Sequence, residues 1–246
     1  MNVAGRVNLE PAWVLHRRPY RDSSEIVDLF TPNHGRVGAV ARGSRRSRRR
    51  MPLELFQPLH VSWAGKGELV TLVGAEPRAR GLETKGRRLL SMFYVNELVL
   101  RLTLRQDPHP DIFAAYEATV YRLAEDVEEA KTLRLFERDL LDSLGYGLLL
   151  DRDVEGAEIR TDCSYYYRLE EGPRRAQAGA GSAPIISGRA LQAIHTGCLD
   201  DSTDLREARI LLTAALDHYL GGRPLKTRQF LNALRSRASG SSLLAK

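Results

Sequence analysis

Hydrophobic side chains change their spacing partway along this chain, and that change sets its fold class. In the first third they fall in short runs rich in aromatic and β-branched residues: Ala12 to Arg17, Ile26 to Phe30, Val37 to Val40, Leu59 to Trp63 and Leu69 to Val73. Such runs read as strands. Pro32-Asn33-His34-Gly35 joins the second run to the third as a turn, because proline presets φ and glycine accepts φ > 0. Ala64-Gly65-Lys66-Gly67 joins the last two in the same way. About five strands in some eighty residues is the scale of a small closed barrel. From residue 88 the spacing becomes helical, with Met92, Val95, Leu98, Val99 and Leu102. It continues in Phe113, Tyr116, Val120 and Leu123, then in Leu133, Phe136, Leu140 and Leu144. Gly145 and Gly147 stop the third helix.

The pattern lapses over 151–185, where Cys163 to Leu169 reads as a strand, Glu171-Gly172-Pro173 as a turn and Ala176 to Ala183 as a linker. Helices resume near 187–196 and 204–220, and Thr227 to Ser236 fits a last short one. The expectation is an α+β chain of two domains: a barrel over 1–81, a mostly helical domain over 82–238 with a small β insertion near 151–185, and a tail over 239–246.

Charge is distributed as unevenly as hydrophobicity. Residues 1–81 hold 14 Lys and Arg against 7 Asp and Glu, whereas residues 82–246 hold 23 against 24. The whole basic excess sits in the strand-rich part, which points to a polyanion partner there. Most of it is one loop, in which Arg42, Arg45, Arg46, Arg48, Arg49 and Arg50 fall within nine residues. Six guanidiniums cannot be desolvated together without six partners, so they face water or phosphate. Guanidinium forks match phosphate oxygens bidentately, and each contact releases counterions. A solvated charge run is the alternative. Arg17, Arg18 and Arg21 in the next basic loop, and Lys66 in the second hairpin turn, complete the candidate nucleic-acid contacts. Trp13, Tyr20, Phe30, Phe56 and Trp63 lie in the same region. Most are expected to fill the barrel, and Tyr20 is the candidate to stand exposed.

Catalytic patterns are missing. The chain has no G-x-x-x-x-G-K-[ST], G-x-S-x-G or H-E-x-x-H, and its six histidines are scattered. Asp200, Asp201 and Asp204 could hold Mg²⁺, but they stand just before a helix, where carboxylates cap amides. Cys163 and Cys198 fit a reducing compartment better than a disulfide framework. No uncharged apolar run reaches the length of a membrane span, and the first residues lack the pattern of a secretory signal. In the third helix, Arg134 and Arg138 stand beside Leu133, Phe136 and Leu140. That stripe reads as core with a solvated flank that includes Glu137, or as an apolar groove rimmed by cations that suits an acidic peptide with a hydrophobic end.

Several blocks together resemble the bacterial RecO recombination mediators. They are Trp13 to Ser24, Val27 to Thr31, His34 to Val37, Val40 to Arg45, Gln57 to Leu59, Tyr94 to Leu98, Leu135 to Glu137, Leu144 to Gly147 and Leu220 to Arg228. Their order and spacing span most of the chain. The resemblance implies an N-terminal OB-fold barrel and a helical C-terminal domain. It also implies binding of single- and double-stranded DNA, annealing of complementary strands, and loading of RecA with the partner RecR onto strands coated by single-strand-binding protein. It places the basic barrel residues on Arg42, Arg45, Arg46, Arg48, Arg49 and Arg50, and a site for the acidic C-terminal tail of single-strand-binding protein at Arg134, with Phe136 and Arg138 beside it. Lys226 and Arg228 match in sequence only. Many members hold zinc between two CxxC pairs after the third long helix. Asp151 to Gly156 has no cysteine here, so no metal and no cofactor is expected. The implied protein is a cytoplasmic, nucleoid-associated, non-enzymatic one. An RNA- or ribosome-associated barrel protein and an Mg²⁺-dependent nuclease are the alternatives.

Overall fold

The computed structural model describes residues 5–44, 51–125, 127–176, 184–230 and 233. The chain packs as two compact units, Met1–Ala124 and Glu125–Lys246. The first opens with strands β1 (Arg6–Tyr20), β2 (Ser24–Thr31), β3 (Gly35–Ala41), β4 (Leu59–Ala64) and β5 (Leu69–Pro77). They form a closed barrel in the order β1-β2-β3-β5-β4, with only the β3–β5 pair parallel. Closure leaves no free sheet edge.

The long β1 makes closure possible by serving two neighbours. Arg6 to Ala12 pairs with β4, and Trp13 to Tyr20 pairs with β2. A path of paired residues runs from Arg18 through Ile26, Val40, Thr71 and Ala64 and returns to β1 at Arg6 instead of Arg18. That offset is the stagger a barrel requires. This is an OB-like barrel of five strands.

Alternation fills the inside with Val14, Val27, Leu29, Val37, Ala39, Leu59, Val61, Trp63, Val70 and Leu72. Trp13 and Phe30 depart from the expectation that the aromatics fill the barrel. They point outward and are buried beneath two helices, α1 (Gly86–Leu102) and α2 (Pro110–Ala124). Trp13 meets Tyr116 and Tyr121 edge-on, each at 5.8 Å, and Phe30 meets Phe113 at 5.5 Å. Because both faces of β2 are covered, its residues are buried almost continuously, Asp28 among them, and not in alternation.

The pairing of β1 with β2 shifts between Val14 and His16. Such a bulge takes a residue out of the ladder. The Leu15 carbonyl there accepts from Asn96 Nδ2 at 3.0 Å, and the Tyr116 hydroxyl donates to Asn96 Oδ1 at 2.7 Å. All three residues are buried, and burial pushes the Tyr116 phenol well above its ordinary range. The switch from strand to helix and the division between packed units are therefore separate events. The period changes after β5, yet α1 and α2 pack with the barrel.

The second unit holds α3 (Glu129–Ser143), β6 (Ser164–Arg168), β7 (Gly172–Arg175), β8 (Ile185–Ser187), α4 (Gly188–Thr196) and α5 (Ser202–Tyr219). Its sheet has the order β7-β6-β8; β7 overlaps the stretch expected as a turn, β8 comes just before α4, and 177–183 of the expected linker lie outside the described residues. Tyr165 and Tyr167 point into the core and Tyr166 points out, the period of two that a strand imposes. Helices α4 and α5 pack on each other and on α3. Residues 226–230 are helical. The tail over 239–246 lies outside the described residues.

Candidate nucleic-acid interface

Strand register decides which cations meet. Arg18, Tyr20 and Arg21 end β1 and begin its turn into β2, opposite Ile26 and Ser24. Glu25 lies opposite Ala41, the last residue of β3, so Arg42 leaves the barrel beside that turn. Ser44 donates to Glu25 Oε2 at 2.9 Å and ties the start of the basic loop to β2. Arg18, Arg21 and Arg42 are all exposed at this one end. The Arg21 guanidinium lies over the half-buried Tyr20 ring, 5.1 Å from its centroid. Arg45, Arg46, Arg48, Arg49 and Arg50 lie outside the described residues.

Arg17 and Lys66 stand apart from this group. Arg17 pairs across from Val27, on the interior side of β1. It donates to the Leu53 carbonyl at 3.4 Å and meets the exposed Glu54 at 2.9 Å. Lys66 is exposed in the β4–β5 turn. That turn precedes Leu69, which lies opposite Gly38, and the Gly67 carbonyl accepts from Gln106 while Gln106 N donates to Arg36 O. Lys66 therefore sits toward the start of β3, and Arg42 follows its end.

One cationic group escaped the sequence reading. Arg36 on the outside of β3 and Arg105, beyond α1, form a parallel bridge. Arg105 pairs with Asp28 on β2, and Arg36 donates to the Thr103 carbonyl at 2.8 Å. Burial, and then the adjacent Arg105, lowers the Arg36 pKa, with Asp28 opposing. Arg36 could have been noticed as the charge alternating with the apolar Val37 and Ala39. Nothing local connects it to Arg105. Connector residues Lys85, Arg87 and Arg88 at the start of α1 add further positive charge to the same unit.

In the second unit, Arg134 lies on the buried side of α3 with Thr132, Phe136, Glu137, Leu140 and Leu141. Its guanidinium pairs with Glu137, which is 0% exposed. Glu137 is therefore not part of a solvated flank, and Leu133 and Leu144 are only half-buried. The buried arc is wider than one stripe because α3 packs against both α4 and α5. Arg138 donates to the carbonyls of Ile194 at 2.8 Å and His195 at 3.2 Å and also meets Asp139. It thus closes the C-terminal end of α4, where a cation meets both free carbonyls and the negative end of the dipole. Phe136 is 1% exposed.

The acidic cluster before α5 is occupied by the fold. Asp201 is the N-cap and accepts from Thr203 N at 2.8 Å and Asp204 N at 3.2 Å, bonds that lower its pKa. Asp200 holds Lys131, and Arg189 spans Asp201 and Asp204. The stretch after α3 does not fit zinc. Asp153 Oδ1 accepts from Glu155 N and Ala157 N, each at 3.0 Å, and no thiol is near it in sequence. Among the described residues no three His, Cys, Asp or Glu side chains group closely enough to hold a metal.

Comparison with known proteins covers both units. Residues 7–80 match the family model described as Recombination protein O N terminal, and residues 83–229 match that described as Recombination protein O C terminal. The protein from Alkalilimnicola ehrlichii named DNA repair protein RecO is 47% identical over 232 residues, 93% of this chain and 92% of that one. Proteins of the same name from Nitrosococcus oceani and from an Azoarcus species are 44% and 41% identical. They align over 94% and 95% of this chain and 95% and 99% of their own lengths.

Proposed function

The chain belongs to the RecO family, and from that premise we propose that it is a non-enzymatic mediator that anneals complementary DNA strands. With RecR it would help load RecA onto strands coated by single-strand-binding protein. The observation that carries this reading is the exposure of Arg18, Arg21 and Arg42 at one end of a closed OB-like barrel, at the point where the five further arginines of 45–50 follow. Annealing needs phosphate repulsion screened while base edges stay free. Backbone-directed guanidiniums do both. No step requires nucleotide hydrolysis, in keeping with a sequence that lacks the phosphate-loop pattern. Among the described residues no helix is long and apolar enough to cross a membrane, and the cytoplasmic nucleoid is the proposed location.

The tail of single-strand-binding protein is proposed to dock on the second unit near α3. Because Arg134 and Arg138 are engaged with Glu137 and with the end of α4, an acidic tail there would compete with internal partners.

A salt titration tests the DNA reading. Alanine at Arg45, Arg46, Arg48, Arg49 and Arg50 is expected to weaken binding and flatten the slope of log K against log salt. The slope should fall by about 0.7 for each single-strand phosphate that the protein no longer neutralises. Unchanged affinity and slope would overturn the assignment.

A further inference from the structure

Among the described residues, the outer face of the small sheet in the second unit carries the half-buried Tyr166 between the exposed Arg174 and Ile185. The inner face carries Tyr165, Tyr167, Pro173 and Ile186, all buried. The hydroxyl of Tyr165 accepts from Arg160 N at 2.9 Å, and that of Tyr167 donates to the Leu149 carbonyl at 3.0 Å. Tyr166 points the other way, and its hydroxyl makes no hydrogen bond among the described residues. Register places Arg174 of β7 opposite Tyr166 on one side and Ile185 of β8 on the other, with Arg168 two residues along β6 on the same face. Arg174 and Arg168 are 61% and 66% exposed.

We propose that this face binds an unpaired DNA strand, with a base stacked on the Tyr166 ring and phosphates held by Arg174 and Arg168. A side chain on a central strand stands upright between its neighbours, so the ring is oriented before a ligand arrives and little freedom is lost on stacking. Every base offers a π face, so the contact tolerates any sequence. Among the described residues the two arginines meet Glu155 at 3.8 Å and Glu171 at 3.2 Å. Exposed pairs of this kind are worth about 0–1 kcal/mol, so a phosphate can displace the carboxylate at little cost. Two arginines whose carboxylate partners, Glu155 and Glu171, are themselves exposed, together with one aromatic ring and a single aliphatic side chain, suit a polyanion with planar bases better than an apolar protein surface.

The inference rests on the annealing reading and deepens it. Annealing brings two strands together, and a strand site on the second unit, separate from the barrel arginines, lets one molecule hold both.

Tyr166→Trp in the full chain gives a direct readout, because the natural Trp13 and Trp63 are buried. Oligo-dT should quench the new tryptophan, with wild type as the baseline. Tyr166→Ala should slow annealing of complementary oligonucleotides and weaken oligo-dT binding by about fivefold to a hundredfold when the barrel arginines are alanine. Tyr166→Phe should behave as wild type, and duplex binding should be unchanged in both. If labelled oligo-dT binds by anisotropy while the tryptophan stays silent and Tyr166→Ala anneals normally, the sheet site is overturned and the family reading stands. If wild type binds no oligo-dT, the annealing reading fails first. Quenching by an acidic peptide but not by oligo-dT would make the face a protein-docking surface and overturn the proposal.

Discussion

Arg134 and Glu137 stand one turn apart on α3 and close on each other inside the second unit, the guanidinium nearly buried and the carboxylate wholly so. Removing one member of a buried pair costs far more than replacing both. Arg134→Ala is expected to destabilise the unit by on the order of 3–5 kcal/mol in denaturant titration. Arg134→Met with Glu137→Leu should recover most of that loss. The double variant is also the proper reagent for the tail-docking proposal, since it lacks the guanidinium without collapsing the helix. If the single variant proves as stable as wild type, the pair is not the strut described.

Arg138 serves the end of α4. Arg138→Ala should cost about 1 kcal/mol, because the carbonyls of Ile194 and His195 lose a cationic donor. Hydrogen exchange at the last turn of α4 should quicken more than exchange in α5. Equal exchange in both helices would count against the cap.

Gly35 occupies the left-handed region at φ +61°, and a Cβ there would overlap the Asp107 backbone carbonyl. Neither fault can be relieved by turning a side chain. Gly35→Ala should destabilise by at least about 1–3 kcal/mol and separate 105–107 from the β2–β3 turn. Wild-type melting of that variant would show that the close approach is dispensable.

Asp162 is held at about 2, below the usual carboxylate range, chiefly by the Arg160 guanidinium at 3.1 and 2.8 Å and then by the Cys163 thiol. A depressed carboxyl contributes stability at pH above its unfolded pKa of about 3.8, and that contribution is lost as pH falls through about 2. A carboxyl-carbon NMR titration should give the low midpoint in wild type and an ordinary one in Arg160→Ala. High salt should shrink the difference, since the pair is exposed. An ordinary wild-type midpoint would refute the pairing.

Local pattern was enough for the five barrel strands, the three long helices and the strand of consecutive tyrosines, because hydrophobic period and turn residues act over a few neighbours. The cap at Asp201 was legible for the same reason: it precedes the helix whose amides it accepts. Pairings across the fold were not legible. Trp13 and Phe30 face outward because α1 and α2 cover the barrel wall, and Arg36 meets Arg105 because a segment 69 positions later returns to β3. Arg17 and Arg18 are adjacent in sequence, yet the register turns one toward the barrel interior and leaves the other in water. Arg134, which spacing put beside an apolar stripe and the resemblance put at a tail-binding site, pairs with Glu137 within the wide buried arc that α4 and α5 give α3. A side chain's type and neighbours set what it can do, but desolvation and partners set what it does, and those come from residues distant along the chain.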